Sequence, residues 1–173
     1  MRRLLIEGLL KAPLTEARPG DDDAMLAELA ERLQKSARRV LGHSLSIRQV
    51  DAGSCNACEL EIHALSNVYY DLERFGLRFV ASPRHADVLL VTGPVTKNMR
   101  EALERTYNAT PNPKWVVAAG DCACGSGLFG GYANIGSVEA VVPVDLHIRG
   151  CPPTPTALLQ GLVALMERAA AAT

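Results

Sequence analysis

The 173 residues are enough for one domain with a buried core. Hydrophobic residues make up 48%, and the net charge is −1 from 18 basic and 19 acidic residues, which removes the electrostatic case for nucleic-acid binding. No stretch is long and apolar enough to cross a bilayer. Glu7 interrupts the apolar start after the twin arginines, and no small-residue cleavage site follows cleanly, so a cytoplasmic chain is expected.

Residues 1–20, with Pro13, Pro19 and Gly20, read as an extension in which Leu4, Leu5, Leu9 and Leu10 line one side of a short helical turn. Asp21-Asp22-Asp23 then opens a helix running to about Leu41. Leu26, Leu29, Leu33, Ala37 and Val40 lie on one face, with Arg38 and Arg39 at the end where cations suit the helix dipole. The alternation over residues 45–50 predicts the first core strand. A second helix is expected over residues 58–75, burying Ile62, Leu65, Tyr69 and Leu72 and stopping at Gly76. Strands are predicted over 77–80 and 87–92, the latter a continuous apolar run of the kind found in a sheet covered on both faces. A helix over 97–107 and a buried strand over 114–119 follow. Further strands are expected over 138–142 and 145–148. Thr154 then caps a last helix with Pro155 at its first position. Strand and helix alternate, which predicts a doubly wound, mainly parallel, flavodoxin-like α/β sheet behind an N-terminal helical extension. The expected division is an extension and amphipathic helix over 1–44 and an α/β metal-binding domain over 45–173.

Five cysteines fall on three turns, each after a predicted strand: Cys55 and Cys58, Cys122 and Cys124, and Cys151. Ligand sites in open α/β sheets gather outside the carboxyl ends of strands. In a reducing compartment this pattern favours metal or redox chemistry over structural disulfides. A four-iron cluster takes four thiolates, one per iron, and Cys55, Cys58, Cys122 and Cys151 would supply them. A thioredoxin-like pair would leave the distant cysteines without a role. A structural zinc site draws on two close pairs, for which Cys122 and Cys124 are too tightly spaced. Both alternatives stay open on spacing alone. Cys124 is the leftover thiol, and Cys122 is the expected ligand because it directly follows Gly120-Asp121 at a strand end.

Five motifs carry a family resemblance: Gly53-Ser54-Cys55-Asn56-Ala57-Cys58-Glu59, Ser82-Pro83-Arg84-His85-Ala86-Asp87, Val91-Thr92-Gly93, Gly120-Asp121-Cys122, and Val142-Pro143-Val144-Asp145 leading to Gly150-Cys151-Pro152-Pro153-Thr154. Together they span about residues 45–165. The chain resembles the small iron–sulfur subunit of [NiFe] hydrogenases and the 20 kDa-type subunit of complex I. It looks most like the formate hydrogenlyase-like, energy-converting, membrane-bound branch. The complex I subunit carries two adjacent cysteines in the first motif, whereas Cys55 and Cys58 are separated by two residues. The resemblance implies one [4Fe-4S] cluster on Cys55, Cys58, Cys122 and Cys151. That cluster would pass electrons beside the active site of a [NiFe]-type large subunit, with no catalytic residue in this chain. Ferredoxin-like iron–sulfur subunits and integral membrane subunits are the other implied partners, and the implied location is peripheral, on the cytoplasmic side of the inner membrane. A quinone-reducing complex I-type subunit is the alternative within electron transfer, and a zinc-stabilised interaction domain is the alternative outside it.

Glu59 and Glu61 fall in the first turn after Cys58. They are read as helix-dipole partners or as acids coupled to the cluster's charge, and Glu61, which matches an acid in complex I-like relatives, is the preferred candidate. Arg84 is expected to anchor the large subunit or to bond near the cluster.

Overall fold

A computed structural model describes residues 22–172. The leucine turn expected before Pro13, and Asp21 ahead of the first helix, lie outside the described residues. The elements in order are α1 (Asp22–Leu41), β1 (Ser46–Asp51), α2 (Ala57–Ala64), β2 (Arg78–Phe79), β3 (Val88–Thr92), α3 (Lys97–Ala109), β4 (Trp115–Ala119), β5 (Leu146–Ile148) and α4 (Pro155–Ala172). All five strands are parallel, in the order β2-β1-β3-β4-β5, which is the flavodoxin-like arrangement.

The two-residue period of a strand sorts the core into two layers. Val88, Leu90, Val117 and Ala119 point to one face, where α1, α2 and α4 bring Leu33, Ile62, Leu158 and Leu162. Leu89, Val91, Val116 and Ala118 point to the other, against Leu103 of α3 and Val138 and Val142 of a long loop. The central strands carry apolar side chains on both faces because both are covered. Across the surface of α1 and α4, Arg32 forks onto the Glu167 carboxylate at 2.8 and 3.0 Å. Thr154 caps α4 as expected, its hydroxyl accepting from the Ala157 amide at 3.2 Å.

Two expected elements are corrected. The helix after Cys58 ends at Ala64 rather than at Phe75. The Asn67 Oδ1 accepts from the Tyr69 and Tyr70 amides at 2.8 and 2.9 Å, a local bond that competes with helix, and Asp71 is left-handed at φ 41. A separate 3₁₀ turn, Leu72–Phe75, returns Leu72 to the core beside Leu65, while Tyr69 is 55% exposed. The expected strand over 138–142 is a 3₁₀ turn, Val138–Ala140. The amides of Ala140, Val141 and Val142 are spent on the Ser137 and Val138 carbonyls, so none can enter a ladder.

Leu33 is fully buried where α1 crosses the core shared with α4. Leu33→Ala should cost about 2–5 kcal/mol through lost transfer energy and the cavity left behind. The check is a lowered urea midpoint with the slope of the transition unchanged.

Candidate metal centre

The parallel sheet sets the carboxyl ends of β1, β4 and β5 along one edge, and each of those ends runs into a cysteine turn. The first turn is shaped by Asp51, whose Oδ1 accepts from the Gly53 and Ser54 amides at 2.8 Å each. Asn56 takes a left-handed conformation at φ 73, and α2 starts directly after it. Cys55 is thereby left exposed and Cys58 half-buried in the first turn of α2.

The second and third turns are bound to each other. The Asp121 amide donates to the Gly150 carbonyl at 2.9 Å, and the Gly150 amide donates back to Asp121 Oδ1 at 3.0 Å. The Gly120 amide adds a bond to the Ile148 carbonyl at 2.8 Å. Cys122 is half-buried on one turn and Cys151 exposed on the other. Gly120 has φ +93, and a Cβ there would stand 2.6 Å from the Cys58 Sγ, so the bare backbone is what lets the first and second turns close. Gly93, at φ +84 after β3, does the same for the first turn, since its Cβ would meet the Ser54 amide nitrogen at 2.7 Å.

Cys58 and Cys122 each register neighbouring thiols. Burial, then Glu59, then Cys55, Cys122 and Cys151 push the Cys58 thiol up to about 12. The Cys122 thiol is also raised, first by burial, with Cys151, Cys55 and Asp121 adding to it, while the Phe129 amide pulls it down. Cys124 stands apart. Its Sγ lies under the turn, 3.6 Å from the Ala118 carbonyl, packed with the α3-side core. Burial raises its thiol, Arg149 lowers it and Asp121 raises it, and none of the other cysteines contributes.

Glu59 is buried, 5% exposed, and is locked at both carboxylate oxygens. Ser54 Oγ donates to Oε2 at 2.6 Å, and the hydroxyl of the fully buried Thr92, at the end of β3, pairs with Oε1. Ser54 Oγ in turn accepts from the Asn56 amide at 3.1 Å. One carboxylate thus joins the first cysteine turn to the centre of the sheet. Glu61 is only half-buried on the same helix. Arg84 is exposed in a 3₁₀ turn, Pro83–His85, ahead of β3, and neither Cys58 nor Cys122 registers its charge. The structure therefore gathers Cys55, Cys58, Cys122, Cys151 and Glu59, and does not bring Arg84 to them. Thr92 and Ser54 as partners of Glu59 were not foreseen. The sequence signal was a Thr at the carboxyl end of a fully apolar strand, a place where a buried hydroxyl needs a polar neighbour.

The donor set fits an iron–sulfur group. All four donors are sulfur, the soft ligand that selects such clusters or zinc. Among the described residues, no three Cys, His, Asp or Glu side chains close round a point at single-ion spacing. Thiols that each bond a different iron of a cube stand wider apart than the ligands of one ion. A positively charged metal core would also offset the burial and the neighbouring charges that raise the Cys58 and Cys122 thiols.

A family model described as NADH ubiquinone oxidoreductase, 20 Kd subunit, matches residues 55–165. A probable membrane-bound hydrogenase subunit of Pyrococcus furiosus is 43% identical over 145 residues, covering 81% of this chain and 86% of the relative. Formate hydrogenlyase subunit 7 of Escherichia coli is 43% identical over 140 residues, which is 80% of this chain but 53% of that longer relative. An NADH-quinone oxidoreductase subunit of Citrifermentans bemidjiense is 45% identical over 113 residues, 65% of this chain and 66% of the relative. Among solved structures, a chain of the membrane-bound sulfane sulfur reductase, an archaeal respiratory membrane complex, matches with a TM-score of 0.67 at 36% identity, covering 82% of this chain and 77% of its own.

Thr92→Val removes a hydroxyl from a buried carboxylate, and should lower stability by about 1–3 kcal/mol in urea unfolding. The raised Cys58 thiol means that the folded state holds this proton to higher pH than the unfolded chain does, whose thiol titrates near its ordinary 9.0. That contribution is complete below about pH 9 and is lost as the pH climbs toward 12. The metal-free protein should therefore lose stability across this window, and the loss should be shallower in Cys58→Ala.

Proposed function

The chain belongs to the family of the 20 kDa subunit of NADH ubiquinone oxidoreductase, and from that premise we propose that it is the electron-transfer subunit of a membrane-bound [NiFe] hydrogenase or hydrogenase-like complex. In this reading Cys55, Cys58, Cys122 and Cys151 hold one [4Fe-4S] cluster beside the active site of a [NiFe]-type large subunit. The observation that carries the reading is geometric. Cys55, Cys58, Cys122 and Cys151 stand on three turns at one edge of the sheet that close on one another. Bare Gly120 lies against the Cys58 Sγ and Asp121 is bonded to Gly150, while the Cys124 Sγ is turned toward the Ala118 carbonyl.

Bound there, the cluster supplies storage for a single electron. The chain's own groups hold the cage. Asp121 keeps the Cys122 and Cys151 turns at a set separation, and Glu59 ties the Cys55 turn to β3. Gly120 leaves room for the Cys58 Sγ. The amides at the start of α2 face the same edge, where the positive end of a helix offsets negative charge.

The two-residue spacing of Cys55 and Cys58 and the longer match to hydrogenase-type relatives favour the hydrogenase branch. The comparable identity to the NADH-quinone oxidoreductase relative supports a quinone-reducing complex as the second reading. Ferredoxin-like subunits and integral membrane subunits are the proposed neighbours, with the chain peripheral on the cytoplasmic side of the inner membrane. Among the described residues no helix is long and apolar enough to cross a membrane.

Low-temperature EPR of the anaerobically purified, dithionite-reduced protein, with iron and sulfide counted on the same sample, tests the assignment. A reduced four-iron signal is expected in the wild type and in Cys124→Ser, and its loss is expected in Cys55→Ser, Cys58→Ser, Cys122→Ser and Cys151→Ser. Zinc without sulfide in a folded protein would overturn the reading and leave an interaction domain.

A further inference from the structure

The segment 125–136 follows the Cys122 turn, holds five glycines and adds no thiol to the site. Glycine leaves a chain free to take many shapes, yet this stretch is fastened at both ends. At its entry the Gly125 amide donates to the Cys122 carbonyl at 3.2 Å, and the Ser126 amide to the Asp121 carbonyl at 2.9 Å. At its exit the Ile135 amide donates to the Val95 carbonyl at 2.8 Å, and the Lys97 amide to the Ala133 carbonyl at 2.8 Å. The Lys97 Nζ also stands 3.9 Å over the Tyr132 ring. Between these ends the segment presses on the second cysteine turn. A Cβ at Gly127 would lie 2.6 Å from the Cys122 Cα and 2.8 Å from its nitrogen, so close approach alone requires glycine there.

This approach sets the Phe129 amide beside the Cys122 sulfur. Cys122, Phe129 and Asn134 line one cavity of about 240 Å³. The Asn134 Nδ2 donates to the Phe129 carbonyl at 2.7 Å, and the Asn134 backbone bridges to Thr96 just ahead of α3. A side chain fixed to α3 thus holds residue 129 in place over the sulfur. Backbone amides that donate to a ligand sulfur stabilise the more negative, reduced state of an iron–sulfur cluster. We propose that Asn134 is a positioning residue for the cluster: by fastening the Phe129 carbonyl it keeps the Phe129 amide as a donor to the Cys122 sulfur, which makes the cluster easier to reduce. The proposal rests on the reading of Cys122 as a ligand of a four-iron cluster.

The test uses the full chain, purified anaerobically with its cluster and labelled with ¹⁵N-phenylalanine. Of the three phenylalanines, Phe75 and Phe79 pack with the α1 and α4 layer, so a labelled nitrogen at the cluster reports Phe129. Pulsed EPR of the reduced wild type should show a ¹⁵N coupling, and Asn134→Ala should weaken or lose it. A redox titration followed by EPR should place the midpoint of Asn134→Ala at a more negative potential, with iron and sulfide counts unchanged. The substitution alters no charge and leaves Arg149 on the Ser126 hydroxyl, so the shift is not the loss of a nearby cation. A reduced wild type without ¹⁵N coupling, or an unchanged midpoint in Asn134→Ala, overturns the proposal. If Asn134→Ala takes up no iron, Asn134→Asp keeps the shape and removes the donor, and coupling at wild-type strength in that variant refutes the role of Asn134. A wild type with no four-iron signal sinks the cluster reading and this inference together, whereas a four-iron signal without coupling sinks this inference alone.

Discussion

Thiols brought close together resist ionisation, and the site depends on backbone stiff enough to hold them there regardless. The stiffness comes from the reciprocal bonds between Asp121 and Gly150, which make the ends of β4 and β5 a single ledge. The first turn joins this ledge by a different device, a buried carboxylate fastened to hydroxyls on either side. The two devices suit their places. Neighbouring strands can be bound amide to carbonyl, whereas the first turn must reach the sheet through a side chain.

Glycine sets how closely these parts approach. At Gly120 the lack of a side chain is filled by the sulfur of Cys58, and at Gly93 by the backbone of the first turn. Any larger residue would separate the very turns that the hydrogen bonds draw together. The site is thus defined as much by where atoms are missing as by its donors.

Much of this was legible in the sequence, and the misses have physical causes. Strands β3 and β4 announced themselves because a strand covered on both faces must be apolar throughout. The second helix was overextended because Ile62, Leu65 and Leu72 do all reach the core, yet the chain gets there through a break formed by Asn67 bonding its own backbone. The valines at 138–142 looked like a strand because a short apolar run does not distinguish strand from turn. At the site, the spacing of the cysteines pointed to the three turns that converge. Spacing did not say which acid faces inward. Glu59 and Glu61 lie two residues apart and so on different sides of α2, and only the tertiary placement of Thr92 and Ser54 selects Glu59 for burial.

The 18 residues of α4 leave the third cysteine turn and run away from it, and at 1.5 Å per residue the helix carries the chain about 27 Å back from that edge. The sheet and the paired helices α1 and α4 fill that depth with saturated side chains. The domain is therefore insulated behind and open in front. A neighbour lodged against the rear would be separated from the sulfurs by the depth of that helix, whereas one seated where the strands end would lie beside them.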